Sequence, residues 1–364
     1  MSLICAEDFQ RLAHDRLSAD VWDFIEGGSG AELTLAANRA AFTQLRLRPR
    51  VMVDVTTCTT DTTLLGTPLR VPFGIAPLAY HQLAHADGEV GTALGAGGTG
   101  ALFVVSMFAS RTLEDIAAAA TGPLWLQLYW LRRRDVMAQL VRRAAAAGYR
   151  ALVLTVDAPA IGRRLRDLRN GFAVDAEVQA VNLDPALMEL THRRRTGSSA
   201  IARHAAATFD PSLTWADLAW LRETCDLPLV VKGILTAEDA KRAVACGVDA
   251  MIVSNHGGRQ LDRAVPSLHA LAEVVDAVGN ACPVLFDGGV RGGADVFMAL
   301  ALGARAVFLG RPVLWALAVD GGAGVAQLLD LVGEELRHTM ALTGRPALSD
   351  IDRSVLAAPP PPAR

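Results

Sequence analysis

The chain has little from which to build a disulfide framework or a zinc site. Its five cysteines, Cys5, Cys58, Cys225, Cys246 and Cys282, are scattered through 364 residues without a CxxC pair, and paired spacings are what such structures use. Charge of one sign is also scarce: the formal net charge is −3, so no broad field draws nucleic acid or an anionic membrane to the surface. The arginine runs at 132–134 and 193–195 read as solvated faces. No apolar run is expected to span a bilayer. The opening MSLICAEDFQRLAHDRL carries acids early and lacks the long apolar core of a signal peptide. Together these absences lead us to expect a cytoplasmic, reducing setting with no nucleic-acid or membrane partner.

What is present is apolar sequence in short, regularly spaced blocks. Hydrophobic residues make up 51% and charged residues 20%, enough for a sizeable core and far from the composition of disorder. Eight blocks stand out: FGIAP (73–77), ALFVVS (101–106), LWLQLY (124–129), ALVLTVD (151–157), PLVVKG (228–233), AMIVSN (250–255), PVLFDGG (283–289) and AVFLGR (306–311). They are apolar throughout rather than alternating, as strands buried on both faces of a parallel sheet are. Amphipathic segments ending at Gly, such as 134–148 and 237–247, separate them. Eight βα units predict a (β/α)₈ TIM barrel in a single domain, 1–356. An open doubly wound sheet is the alternative, but no GxGxxG follows the first strand. Residues 1–72 form an N-terminal helical cap expected to cover the barrel bottom, and 73–356 the barrel. The long loop after strand 4, about 158–227, is expected to act as a lid. The proline-rich tail, 357–364, is expected to be disordered.

In such a barrel the chemistry lies at the C-terminal ends of the strands. Those ends carry Ser106, Gln127, Tyr129, Thr155, Asp157, Lys232, Ser254, His256, Asp287 and Arg311. Any one of them could merely cap a helix or satisfy a backbone group. The stretch FDGGVRGGADV (286–296), with Gly289 and Arg291, and LGRPVL (309–314), with Gly310 and Arg311, follow the seventh and eighth strands. Glycine lets backbone N–H groups approach an anion, and this is the usual phosphate site of the fold. A phosphate-bearing planar cofactor fits the arrangement, and a phosphosugar fits it too. A barrel that binds a phosphorylated ligand without catalysis would have no use for His256, Asp157 and Lys232.

SNHGGRQLD (254–262), VKGILTAEDA, FDGGVRGGADVFMALALGARAVFLGRPV, LQLY and TVDAPAIGRRLRDLRNGF together resemble the FMN-dependent α-hydroxy acid oxidases and dehydrogenases, the family of glycolate oxidase, lactate oxidase and mandelate dehydrogenase. The resemblance runs from about residue 7 to 356. It implies FMN as cofactor, a small-molecule 2-hydroxy acid and O₂ as reactants, and a homotetramer. By position it implies that His256 is the active-site base, Asp157 its orienting partner, Arg164 and Arg259 a clamp on the substrate carboxylate, and Tyr129 a hydrogen-bond partner of the substrate. Pro77, Leu78 and Ala79 would flank the flavin, while Ser106, Gln127, Thr155, Lys232 and Ser254 would bond its polar atoms. Asp287, Gly289, Arg291, Gly310 and Arg311 would hold ribityl and phosphate. Whether His256 takes the carbon-bound or the hydroxyl proton is left open by the sequence.

One departure bears on the substrate. Where glycolate oxidase has a Tyr in a YDYY stretch, this chain has WDFIEGG with Phe24, which removes a hydroxyl from the pocket. An aromatic acid gains from such an apolar wall, at about 25 cal/mol per Å² buried. The stretches WDFIEGG, APLAYHQLAH, LWLQLYW and GRRLRDLRNGFAV are similar to the family's 4-hydroxymandelate oxidases, which serve peptide-antibiotic biosynthesis. That similarity implies (S)-4-hydroxymandelate as substrate, with Leu78, Tyr80 and Phe108 lining an aromatic pocket. A mandelate-type dehydrogenase passing electrons to a quinone, or an oxidase of glycolate or lactate, is the alternative.

Overall fold

Each of the eight apolar blocks forms a strand, because a segment apolar on both faces is buried only between a filled barrel interior and a helical shell. In the computed structural model, which describes residues 2–357, a short hairpin of β1 (Thr62–Leu64) and β2 (Thr67–Leu69) comes first. The barrel strands follow: β3 (Phe73–Ile75), β4 (Leu102–Ser106), β5 (Leu124–Leu128), β6 (Leu152–Thr155), β7 (Leu229–Ile234), β8 (Ala250–Val253), β9 (Val284–Asp287) and β10 (Val307–Leu309). They pair in parallel in chain order, and β10 closes on β3 with Val307 opposite Phe73. The architecture is a (β/α)₈ barrel.

Strand alternation explains where the polar residues fall. Leu102 and Val104, Trp125, Val153, Val230, Ile252, Leu285 and Phe308 share one buried cluster that fills the barrel. Trp125 and Phe308 meet across it with ring centroids 6.4 Å apart. Two residues further along each strand, on the same face, come Ser106, Gln127, Thr155, Lys232, Ser254, Asp287 and Gly310. The interior is therefore dry below and polar at the C-terminal mouth. The register of β7 against β8 shifts between Lys232 and Ile234. Gly233 there has φ +114°, and a Cβ on it would lie 2.6 Å from the Asp157 side chain, so only glycine lets β7 pass that carboxylate.

The N-terminal segment divides between the two ends of the barrel instead of covering the bottom alone. Leu64 and Leu69 of the hairpin join the interior cluster beneath the strands. After helix α1 (Ala6–Arg16), helices α2 (Ala19–Glu26) and α3 (Leu33–Gln44) lie at the mouth. The Ser29 N–H donates to the Gly258 carbonyl (2.9 Å), and Asp262 accepts from the N–H groups of Ala31 and Thr34 (2.8 and 3.0 Å). The long connection after β6 holds short helices, Leu165–Asn170, Pro185–Met188, Ala200–Thr208 and Leu218–Thr224. It is tied to the end of β5 by Arg132 N–H to the Thr208 carbonyl (2.9 Å) and Asp210 N–H to the Trp130 carbonyl (2.8 Å). Arg134 is not a purely solvated charge: it pairs with Asp210 at 2.6 Å and stacks on Trp130.

The final helix, Arg311–Thr343, corrects the expectation about membrane-length segments: it is long and apolar enough to cross a bilayer by length and composition. Its most apolar stretch is 72% buried inside the fold, so core packing accounts for its character. The run is hidden in sequence by DGGAG, where Asp320 and Gly321 leave helical geometry and the helix kinks. Of the tail expected to be disordered, Ala357 donates its N–H to the Arg46 carbonyl at 2.8 Å, and 358–364 lie outside the described residues.

Candidate active site

The polar layer at the mouth is organised as two buried networks. In one, the Ser106 hydroxyl donates to Gln127 Oε1 (3.1 Å) and Gln127 Nε2 donates to Thr155 Oγ1 (3.0 Å), which fixes the orientation of the amide. In the other, Lys232 Nζ lies 2.9 Å from Ser254 Oγ and 3.0 Å from Asp287 Oδ2, and the Ser254 hydroxyl donates to Asp287. Burial alone would favour the neutral amine of Lys232. Asp287 and Asp157 outweigh it and hold the group above the ordinary lysine value.

His256 stands at the end of β8 with φ +60°, an uncommon backbone state for a residue with a Cβ and one found at functional sites. Its own N–H donates to Ser254 Oγ (2.9 Å) and its Nδ1 lies 3.0 Å from Asp157 Oδ1. Burial pushes Asp157 up, but His256 and Lys232 bring it below the usual carboxylate value. An ionised Asp157 can only accept, so Nδ1 carries the proton and Nε2 presents a lone pair to the cavity. The Tyr129 hydroxyl is 3.4 Å from that Nε2. Burial also lowers His256 below the ordinary imidazole value, against the pull of Asp157.

Three arginines surround this pair. Arg259 donates from Nη1 to the carbonyls of Gly27 (2.7 Å) and Ile25 (3.2 Å) and lies over the Phe24 ring. Arg311 donates to the carbonyls of Ile25 (3.0 Å), Gly257 (3.0 Å) and Gly27 (3.1 Å). Arg164 is buried, its Nε has no partner among the described residues, and the nearest carboxylate, Asp167, is 4.0 Å away. Burial lowers Arg164, while burial, Arg164 and Arg311 lower Arg259 strongly. Buried like charges without enough carboxylates to match them form a receptor for an anion.

These groups face one cavity with about 1240 Å³ of empty space, part of it open to solvent. It brings together Phe24, Pro77, Leu78, Ala79, Ser106, Tyr129, Thr155, Arg164, Lys232, His256, Arg259, Asp287, Gly289, Arg291, Gly310 and Arg311. Gln127, Asp157 and Ser254 stand behind that lining and act on it through the bonds just described. Tyr80 and Phe108 also line the cavity. Sequence reasoning missed the opposite wall, Ile161, Ile201, His204, Ala205 and Phe209 from the long connection. Phe209 stacks on Tyr129 with centroids 4.7 Å apart, and the His204 ring meets the Phe108 ring edge-on at 5.6 Å.

A family model for FMN-dependent dehydrogenases matches residues 13–358. The chain belongs to this family. A 4-hydroxymandelate oxidase of Amycolatopsis orientalis is 48% identical over 344 residues, covering 94% of this chain and 95% of its own. An L-lactate oxidase of Nostoc sp. is 46% identical over 353 residues, with 96% of each covered. A crystal structure of mandelate oxidase with (S)-4-hydroxymandelic acid superposes with a TM-score of 0.94 at 46% identity, over 98% of each chain. The protein is accordingly an FMN-dependent (S)-2-hydroxy acid oxidase, acting on a 2-hydroxy acid and O₂.

The residues present fit the cofactor such an oxidase uses. Ser106, Gln127 and Thr155 offer both donors and acceptors, which the edge of a flat polar heterocycle needs, and Lys232 supplies a buried cation beside them. Arg291 and Arg311 line the same cavity as Gly289 and Gly310, a donor set suited to phosphate. Arg311 spends three of its five N–H groups on carbonyls and keeps two for an anion. Burial and Arg311 lower Arg291 to about 10, and an anion between the two would relieve that repulsion.

Proposed function

We propose that the chain oxidises an aromatic (S)-2-hydroxy acid, with (S)-4-hydroxymandelate giving 4-hydroxybenzoylformate while O₂ is reduced to H₂O₂. The observation that carries this reading is the cavity wall. Phe24, stacked on Phe172 at 4.4 Å, faces the site without a hydroxyl, and Phe108, Tyr129 and Phe209 form a continuous aromatic surface. A small polar acid gains little from such a wall, whereas a phenyl ring buries its area and makes stacked and edge contacts. The 48% identity to a 4-hydroxymandelate oxidase supports the same reading. It also leads us to take the chain as a cytoplasmic homotetramer, in keeping with its five free cysteines, and to place it in peptide-antibiotic biosynthesis.

In this reading Arg164 and Arg259 hold the substrate carboxylate through fork-like bonds, and Tyr129 donates to the substrate, fixing the reacting carbon near His256 Nε2. His256 accepts a proton there as general base. Asp157 keeps the productive tautomer and stabilises the imidazolium that forms, as the carboxylate of a catalytic triad does. Pro77, Leu78, Ala79, Ser106, Gln127, Thr155, Lys232 and Ser254 would hold the isoalloxazine of FMN, and Asp287, Gly289, Arg291, Gly310 and Arg311 its ribityl phosphate. When bound, FMN supplies the acceptor for the two electrons that leave the hydroxyl-bearing carbon.

Two expectations follow from the geometry. Phe24→Tyr restores a hydroxyl to the wall, so kcat/KM on glycolate or lactate should rise while that on mandelates falls; an unchanged preference in a substrate panel would remove the argument from the wall. The second concerns pH. A base must be neutral to act, and burial holds His256 below its ordinary value. Activity should therefore fall with acidification only below the ordinary imidazole value. Asp157→Asn removes the charge that favours the imidazolium, so it should lower the rate and move this acid limb lower still. A limb above the ordinary imidazole value in kcat/KM against pH would contradict the assignment.

A further inference from the structure

Gln260 lies in the seam between two loops that carry the charged groups of the site. One runs from the end of β6 through Asp157 to Arg164, and the other holds His256 and Arg259. The Gln260 side chain is buried, and its amide is spent on the first loop. Nε2 donates to the carbonyls of Asp157 (2.9 Å) and Ala160 (3.0 Å), and Oε1 accepts from the Gly162 N–H (3.0 Å). Gly162 closes the seam from the other side, since a Cβ there would collide with the carbonyl oxygens of Arg259 and Gln260. Neither residue lines the cavity.

The position of Arg164 needs such a hold. Arg259 is anchored by the Gly27 and Ile25 carbonyls, whereas among the described residues the Arg164 Nε has no partner and its nearest carboxylate is 4.0 Å away. Two guanidiniums facing one buried cavity repel each other, so the loop bearing the unanchored one tends to move away. Gln260 opposes that motion two residues before Arg164 in the chain, while the same Nε2 fixes the backbone of the residue that orients His256.

We propose that Gln260 is a positioning residue, which sets the spacing between Arg164, Arg259 and the His256–Asp157 pair and thereby the affinity for the substrate carboxylate. This rests on the reading of Arg164 and Arg259 as the carboxylate receptor. Gln260→Met keeps side-chain volume and removes all three hydrogen bonds, and Gly162→Ala pushes the same loops apart while leaving the amide intact. In the FMN-loaded enzyme, both variants should raise the KM for (S)-mandelate and the Kd for benzoylformate, followed by its perturbation of the bound flavin spectrum, by about tenfold or more. FMN content should be retained and kcat should fall less than KM rises, a split that general loosening of the fold would not give. Arg164→Met serves as the reference. If it weakens benzoylformate binding while both seam variants bind normally, the positioning role is overturned and the receptor survives. If Arg164→Met itself binds normally, the receptor reading fails and the inference fails with it. Loss of FMN from both seam variants would also overturn it, because the seam would then hold the fold and not the clamp.

Discussion

Replacing His256 by alanine should leave a flavin-loaded protein whose kcat is lower by about two to four orders of magnitude, the range a positioned general base supplies. The backbone at 256 is held independently of the ring, by its N–H to Ser254 Oγ at 2.9 Å; alanine adopts the φ of +60° less readily than histidine does, but it has no bulk or branch at Cβ to clash there. The substitution therefore removes the Nε2 lone pair and the partner of Asp157 and little else. Lys232 continues to pair with Asp287, and the floor of the cavity is unchanged. Rapid mixing of the FMN-loaded variant with substrate without oxygen, following flavin absorbance, isolates the step. A variant within tenfold of the parent would place the base elsewhere.

Arg164→Met should lower kcat/KM by about two to three orders of magnitude, the scale of a buried charge-assisted clamp. Among the described residues the guanidinium has few protein contacts to lose: its Nε is unpartnered and Asp167 is 4.0 Å away. The loss should thus appear in substrate binding and orientation, with FMN content preserved. Removing the charge also relieves the repulsion that helps lower Arg259, which limits the damage to one arm of the clamp. An uncharged 2-hydroxy amide, having no carboxylate to grip, should be turned over by parent and variant at similar rates. Equal loss on acid and amide would show that Arg164 holds the fold and not the substrate.

The barrel was legible because its strands are buried on both faces, which leaves short, predominantly apolar runs at the strand positions. The rule that places chemistry at the C-terminal ends of barrel strands made the mouth legible too, and in the structure Ser106 shares a face with Val104, Thr155 with Val153 and Lys232 with Val230. What the pattern could not reveal are contacts between distant segments without a period. Phe209 and His204 reach Tyr129 and Phe108 from a connection of short helices, and α2 brings Phe24 to the mouth from the far N-terminus. In the last helix, the break at Asp320–Gly321 concealed a continuous buried element.

The most direct measurement is the visible spectrum of the FMN-loaded protein without oxygen, before and after (S)-4-hydroxymandelate, followed by admission of air. The oxidised-flavin band should bleach with substrate and return in air as H₂O₂ forms. A band untouched by the acid would contradict the proposed substrate, and one that bleaches and stays bleached in air would contradict O₂ as the acceptor.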